Sequence, residues 1–471
     1  MTWIIAAPEL YFLFTAAVFF TFAMISRPNA KRDYITALVL ALPAVLVTLA
    51  CVKLHGGFSQ FYRVDLFSQI FKVLLAMGFF LIVCICLQLH GIREERHPEF
   101  YLLLSVCTLA MMVLVSSVDL LTIYVSLELS SYSLYILVAL RKGNGHSLEG
   151  GIKYFLMGAA VSAIMLFGMA LLYGACGETN VSAIANALSA DIASPMLVIG
   201  LMLTLCGFFF KLAVFPFHFW APGVYQGAAN QVTAYIATAT KAAAVALLLR
   251  FATVGAESVY LVHILVALAI ASMTLGNLAA IGQKDLKRLL AYSTVAQAGY
   301  ILIGILCMSE SGFAAAIFYA AAYLMMNFIC FVVVVKVGEQ GGNVLVSGLA
   351  GLHRRSPLLA VSIMAGVFSL GGLPPTAGFT GKFLVFTAAM EKGYFYLVLI
   401  GMLNVLVSLY YYVLVVKAAY FLDPEEPLPA IELSFPTKLL LVAIVISLLV
   451  GGMYPDIFYG PALAAARALA G

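Results

Sequence analysis

Charge is what this sequence has least of. Asp, Glu, Lys and Arg make up 10% of its 471 residues, against 64% hydrophobic. A chain of that composition has too little polar surface to stay in water and is expected in a membrane. Cysteine is sparse as well. The eight cysteines (Cys51, Cys84, Cys86, Cys107, Cys176, Cys206, Cys307, Cys330) lie in apolar segments without a C-x-x-C pair. That pattern argues against disulfides, metal ligands and cluster ligands, and for small packing residues. No Gly-rich Walker or dinucleotide loop follows a strand-like run, so ATP or redox chemistry within the chain is not expected. Linkers and low-complexity segments are missing too. The first apolar run, Trp3 to Ile25, has no basic segment ahead of it and no small-residue cleavage site, and reads as a retained span rather than a removed signal peptide.

What is there is a succession of apolar runs, each roughly 18 to 25 residues long, the length of a bilayer-spanning helix rather than a barrel strand. The fold class is an all-α integral membrane protein with about 14 spans. They fall near 3–25, 34–54, 68–90, 99–117, 119–140, 152–175, 196–227, 232–252, 258–280, 287–308, 312–337, 357–391, 394–421 and 437–454. Spans seven and twelve are expected to be broken, at Pro216 and at Gly371-Gly372-Leu373-Pro374-Pro375. Basic residues cluster in alternate loops: Arg27, Lys31 and Arg32; Arg93 and Arg96; Arg141 and Lys142; Lys284, Lys287 and Arg288; Arg354 and Arg355. The other side has Arg63, Arg250 and Lys392, with Lys53 and Lys72 at span ends, and its longest loop, Gly177 to Ser194, carries none. By the positive-inside rule both termini face out.

Ionisable groups within the spans mark function, because they are costly there. Glu128 lies mid-span between Leu127 and Leu129, so it is protonated or paired with a cation. Lys153, Lys211, Lys241 and Lys382 are the cations available. Lys211 lies shortly before Pro216 and His218, a charge-capable group beside a helix break, as on many ion paths. Burial disfavours a charged lysine and a nearby carboxylate favours it, so a small displacement of one charge can change proton occupancy. Plainer roles compete. A Glu128–Lys211 pair can be a static clamp, Lys153 can snorkel to the interface, and Lys382 can cap the carbonyls of a broken helix. His218 can satisfy the break or pass protons between Lys211 and Lys241. His263 and His353 sit near span ends, and packing is the expectation for Tyr292, Tyr300 and Tyr410 to Tyr412.

The segment Gly207 to Phe215, GFFFKLAVF, echoes Gly378 to Phe386, GFTGKFLVF. Five spans separate the copies, so they cross the membrane in opposite directions, the mark of an inverted repeat with a site near the midplane. The expected organisation is an N-terminal three-helix segment (1–98), two inverted five-helix repeats (99–252, spans four to eight; 258–421, spans nine to thirteen) and a C-terminal helix with tail (422–471).

Several motifs together resemble a known family. They are Leu127-Glu128-Leu129; Glu149-Gly-Gly-Ile-Lys153-Tyr-Phe-Leu-Met-Gly-Ala159; Lys211-Leu-Ala-Val-Phe-Pro-Phe-His218-Phe-Trp-Ala-Pro222; Thr238-Ala-Thr-Lys241; Gln283 to Ser293; and Ser369 to Pro375 followed by Gly378-Phe-Thr-Gly-Lys382. The chain resembles the antiporter-like, proton-translocating membrane subunits of bacterial respiratory complex I, NADH:quinone oxidoreductase, and among them the N type. The KYFLMGA opening of span six separates it from the M and L types and from Mrp-type cation/proton antiporters. The resemblance implies a relay of Glu128 with Lys211, then Lys241, then Lys382 on the exit side, with Lys153 and His218 as accessory positions. It implies no cofactor in this chain; NAD, FMN, iron–sulfur clusters and quinone belong to partner subunits. It further implies the bacterial cytoplasmic (inner) membrane, and as partners the peripheral and other antiporter-like subunits, with no nucleic acid.

Three positions depart from the family pattern. Gly223 stands where an acidic residue is usual, Ala229-Asn230 replaces a proline-containing turn, and Gln297 replaces a histidine. Gln297 can hold a water but cannot titrate. Two further readings remain open: an Mrp-like secondary cation/proton antiporter, and a structural membrane subunit without its own proton path.

Overall fold

The computed structural model describes residues 2–25, 27–143, 145–190, 194–252, 259–424 and 428–470. In a bilayer an isolated segment satisfies its backbone groups internally only as a helix, and helices follow one another along the chain. They are α1 (Ala7–Ile25), α2 (Ala30–Cys51), α3 (Leu66–Cys84), α4 (His97–Ser116), α5 (Leu120–Ala139), α6 (Gly145–Cys176), α7 (Val181–Ala190), α8 (Pro195–Leu212), α9 (Trp220–Gly227) and α10 (Asn230–Ala237). There follow α11 (Ala239–Ala252), α12 (Val259–Ile281), α13 (Leu286–Leu306), α14 (Glu310–Val337), α15 (Leu352–Arg355), α16 (Pro357–Gly371), α17 (Ala377–Glu391), α18 (Phe395–Phe421), α19 (Phe435–Met453) and α20 (Asp456–Ala470).

Among the described residues, thirteen helical stretches are long and apolar enough to cross a membrane. The expected span at 357–391 is not one of them because it is two helices of 15 residues each, α16 and α17, on either side of a break. With it the count matches the sequence expectation. Only Ser117 to Asp119 separate α4 from α5. That suffices because the Asp119 carboxylate accepts from the N–H groups of Leu121 and Thr122 and so starts a new helix at once. Asp285 starts α13 in the same way through Arg288 N–H.

The bundle has a centre and a rim. The apolar window of Asn230–Ala252 is wholly buried, whereas that of α19 is 28% buried. Phe20, Val125, Phe167 and Leu406 on the outer helices point outward, as side chains facing lipid do. The stretch that carries Lys241 is therefore wholly enclosed by the rest of the chain.

Both expected breaks are present, and they share a cap. After α8, Ala213 adopts the left-handed region (φ 67°), and the N–H groups of Ala213 and Val214 return to the carbonyls of Phe210 and Phe209. After α16, Gly372 does the same (φ 79°), with Gly372 and Leu373 N–H returning to Ser369 and Phe368. This is the usual way of satisfying the last carbonyls of a helix. The two echoing segments do not hold equivalent places around these breaks: Lys211 precedes its break, in α8, and Lys382 follows its break, in α17. What matches locally is the backbone cap, not the G-x-x-x-K string.

The sequence reading missed several features. Span eight is itself interrupted at Thr238 (φ −118°, ψ −85°), between α10 and α11. The hydroxyls of Thr238 and Thr240 bond back to the carbonyls of Ala234 and Ile236, a side-chain competition that weakens regular helix. A small antiparallel hairpin, Gly56–Ser59 with Tyr62–Val64, links α2 to α3. The expected boundary between the two repeats, residues 253 to 258, lies outside the described residues.

Candidate functional site

The site is assembled from the broken end of α8 outward. A helix that stops inside a bundle leaves carbonyls that need donors. Here Trp220 Nε1 donates to Phe210 O (3.0 Å) and Lys241 Nζ donates to Lys211 O (2.9 Å). The Lys241 ammonium also lies 4.7 Å from the centroid of the Trp220 ring, within cation–π range. The break, the indole and the lysine of α11 thus form one unit.

Lys211 turns its own side chain the other way, toward α5. Its Nζ donates to Ser130 Oγ (2.9 Å) and Ser131 Oγ (3.0 Å). Both hydroxyls donate to Leu127 O (2.7 and 2.8 Å), which leaves their lone pairs for the ammonium. Glu128 stands in the same turn of α5 but meets Ser162 of α6, which hydrogen-bonds its carboxylate. Among the described residues there is no Glu128–Lys211 ion pair, so the direct pair anticipated from sequence is replaced by two separate serine-held groups. The physical reason lies in the serines, which solvate each charge locally. Glu128 is 8% exposed, Lys211 2% and Lys241 1%, so the three groups share a dry interior.

Lys382 forms a second centre. Its Nζ donates to Leu370 O (2.8 Å) at the end of α16 and lies 4.5 Å from the Tyr300 ring centroid. Leu370 O also accepts from Gln297 Nε2 (2.9 Å), and Gln297 is held in turn by Tyr319 and Tyr412. Gln297 is therefore fixed between protein groups, and the anticipated capping role for Lys382 is present in the geometry.

Lys153 and His218 make no hydrogen bond to either centre among the described residues. Lys153 pairs with Glu149 on the surface, with 64% of its side chain exposed. His218 is buried, its Nδ1 has no partner among the described residues, and its ring lies against Phe215 and Phe219. No hydrogen bond joins it to Lys211 or Lys241 among the described residues. Instead it lines a cavity of about 210 Å³ together with Lys153, Trp220, Gly223, Arg288 and Tyr292.

Two groups escaped the sequence reading. Ser130, Ser131 and Ser162 are the immediate partners of the charges; the run of serines on span five was the available signal. The carboxyl end of α9 is covered by cations. Arg141 donates to the carbonyls of Gln226, Gly227 and Ala228, and Lys287 to Ala228 O (2.8 Å). In the sequence both read only as loop charges.

A family model described as NADH:quinone oxidoreductase/Mrp antiporter, TM, matches residues 117–408. The chain is 57% identical over 471 residues, the whole of both proteins, to "NADH-quinone oxidoreductase subunit N 2" of Syntrophobacter fumaroxidans. To the protein of the same name in Opitutus terrae it is 41% identical, over 95% of this chain and 94% of the other. A chain of respiratory complex I from Thermus thermophilus superposes with a TM-score of 0.85 at 34% identity, covering 97% of this chain and 99% of that one. A chain of the Mrp complex from Dietzia has a TM-score of 0.86 at 19% identity, covering all of both, which is a likeness of fold. The chain belongs to the NADH:quinone oxidoreductase/Mrp antiporter transmembrane family, as an N-type, antiporter-like, multi-pass membrane subunit of an NADH-quinone oxidoreductase assembly.

Proposed function

We propose that the chain carries protons across the bacterial cytoplasmic membrane through Glu128, Lys211, Lys241 and Lys382, with Lys153 and His218 on the cytoplasmic approach, driven by redox chemistry in other subunits. NAD, FMN, iron–sulfur clusters and quinone are held by those partners. Both termini face the outer side, and residues 99–252 and 258–421 act as two inverted halves.

The observation that carries this reading is the two-sided use of Lys211. Its ammonium is solvated by α5 in the turn that bears Glu128, while its carbonyl receives Lys241 from α11. A shift of the Lys211 side chain along α5 toward Glu128 would trade serine solvation for an ion pair, and the charge beside Lys241 would move with it. That displacement alters proton occupancy at both lysines. His218 and Lys153 share a cavity beside the break that Arg288 and Tyr292 also line, which suits proton delivery. Replacement of Glu128 or Lys211 by alanine is expected to lower protons moved per electron in the assembled complex reconstituted in vesicles, with assembly retained. An unchanged ratio in both variants would overturn the proposal.

A further inference from the structure

A second buried acid–lysine constellation lies outside the relay, in the N-terminal helices. Glu9, in the first turn of α1, is 8% exposed, and Lys72, in α3, is fully buried. Their charged groups are 2.6 Å apart. Tyr62 of the hairpin donates to the same Glu9 Oε1 (2.6 Å), and Lys72 Nζ also reaches the Tyr62 hydroxyl at 3.4 Å. Sequence alone placed Lys72 at a span end, because the hairpin that folds over it was not foreseen.

The neighbouring acid shows what a static clamp looks like in this protein. Asp65, the cap of α3, holds Arg250 of α11 through both oxygens, at 3.1 Å each, and its Oδ1 also accepts Ser68 N–H. Each oxygen is satisfied, and a guanidinium does not give up its proton in a protein. Glu9 differs on both counts. Its partner is a lysine, which can deprotonate when buried. Both donors crowd Oε1, while the buried Oε2 has no partner among the described residues. A carboxylate kept permanently charged in the interior would be expected to have that oxygen satisfied.

The surroundings tie this pair to the helices of the proposed path. Asp65–Arg250 joins the start of α3 to the end of α11, the helix of Lys241. The hairpin bridges Tyr62 to Ser117, and Val118 N–H bonds to Phe61 O, just ahead of the Asp119 cap of α5. A cleft of about 550 Å³ lies against the same hairpin, lined by His55, Arg63 and Asp65.

We propose that Glu9, Lys72 and Tyr62 form a proton-release site on the outer face, the last titratable station before water on that side. The step balances simply. One N–H bond of the Lys72 ammonium breaks and one O–H bond forms on Glu9, so the ion pair becomes an amine and a carboxylic acid of the same total charge. Glu9 then passes the proton outward through the hydroxyl of the half-buried Tyr62, and a proton arriving from the interior restores the ammonium.

The inference rests on the relay reading above, and the test separates the two. In the assembled complex in vesicles, Glu9→Gln and Lys72→Met are expected to lower protons per electron as far as Lys211→Ala does. Glu9→Asp should restore at least half of the loss. Infrared difference spectra on substrate addition should contain a carboxylic acid band that Glu9→Gln removes. A wild-type ratio in Glu9→Gln beside a loss in Lys211→Ala would overturn this site and leave the relay standing; a wild-type ratio in both would remove both. Full pumping by the double variant Glu9→Leu, Lys72→Leu would show a clamp and also overturn the site.

Discussion

The breaks after α8 and after α16 use the same device with different company. In each, a lysine from another helix segment donates to a carbonyl at the end of the half-helix, Lys241 to Lys211 O and Lys382 to Leu370 O, and lies over an aromatic ring. At the first break the receiving residue is itself a lysine, with Glu128 and three serines close by. At the second, the receiving residue is a leucine, and its neighbours are an amide and phenols that carry no charge. Capping a broken helix is thus a common duty of both lysines, whereas a neighbouring charge able to move is found only at the first. The difference separates what a buried lysine does for the fold from what it can do for a proton.

The largest expected effect concerns close approach at the second break. A Cβ on Gly378 would fall 1.8 Å from Ser369 O, a backbone atom, so Gly378→Ala should displace α17 from α16 and prevent assembly, at a cost of about 3 kcal/mol or more. Gly207, its counterpart in the sequence echo, would meet the thioether of Met165 at 2.1 Å, a flexible side chain that can move aside. Gly207→Ala should therefore assemble with a smaller loss. Native gels of the two variants check this contrast, and equal behaviour would mean that the breaks are built more alike than their neighbours indicate.

A middle-sized effect separates the two caps. Lys241→Met removes the one side-chain donor at Lys211 O among the described residues and is expected to cost about 1–3 kcal/mol for the orphaned carbonyl. Lys382→Met leaves Gln297 still donating to Leu370 O, so its cost should be nearer 1 kcal/mol. Thermal inactivation of the purified complex compares them; a larger loss at Lys382 would break the assignment of roles.

The smallest effect is at Gly223, where an added Cβ meets nothing within 4 Å. Gly223→Ala should change stability by less than about 0.5 kcal/mol, so any change in pumping by this variant would report on the cavity with Lys153 and His218 rather than on packing.

Much of this was legible in the sequence because it is local. Span length follows from apolar runs, and the breaks follow from Pro216 and Gly371 to Pro375, which cannot continue a helix. The capping alternative for Lys382 could be written down from its position after such a break. The break at Thr238 was not legible, since it lies within an apolar run without proline or glycine that reads as uninterrupted helix. Nor was the hairpin, whose four-residue and three-residue strands carry no periodic signal.

By itself the sequence determined that this is a helical membrane protein, that spans seven and twelve are interrupted, and that Glu128, Lys211, Lys241 and Lys382 lie inside spans, because burial length and proline chemistry act over a few residues. Only the tertiary structure decided partners. It gave Glu128 to Ser162 instead of Lys211, set Lys241 on the Lys211 carbonyl, left Lys153 at the surface, and closed Glu9 on Lys72 across 63 residues of chain. A buried charge takes whichever donor or acceptor packing brings within about 3 Å, and neighbours at that range come from other helices, whose approach no local pattern encodes.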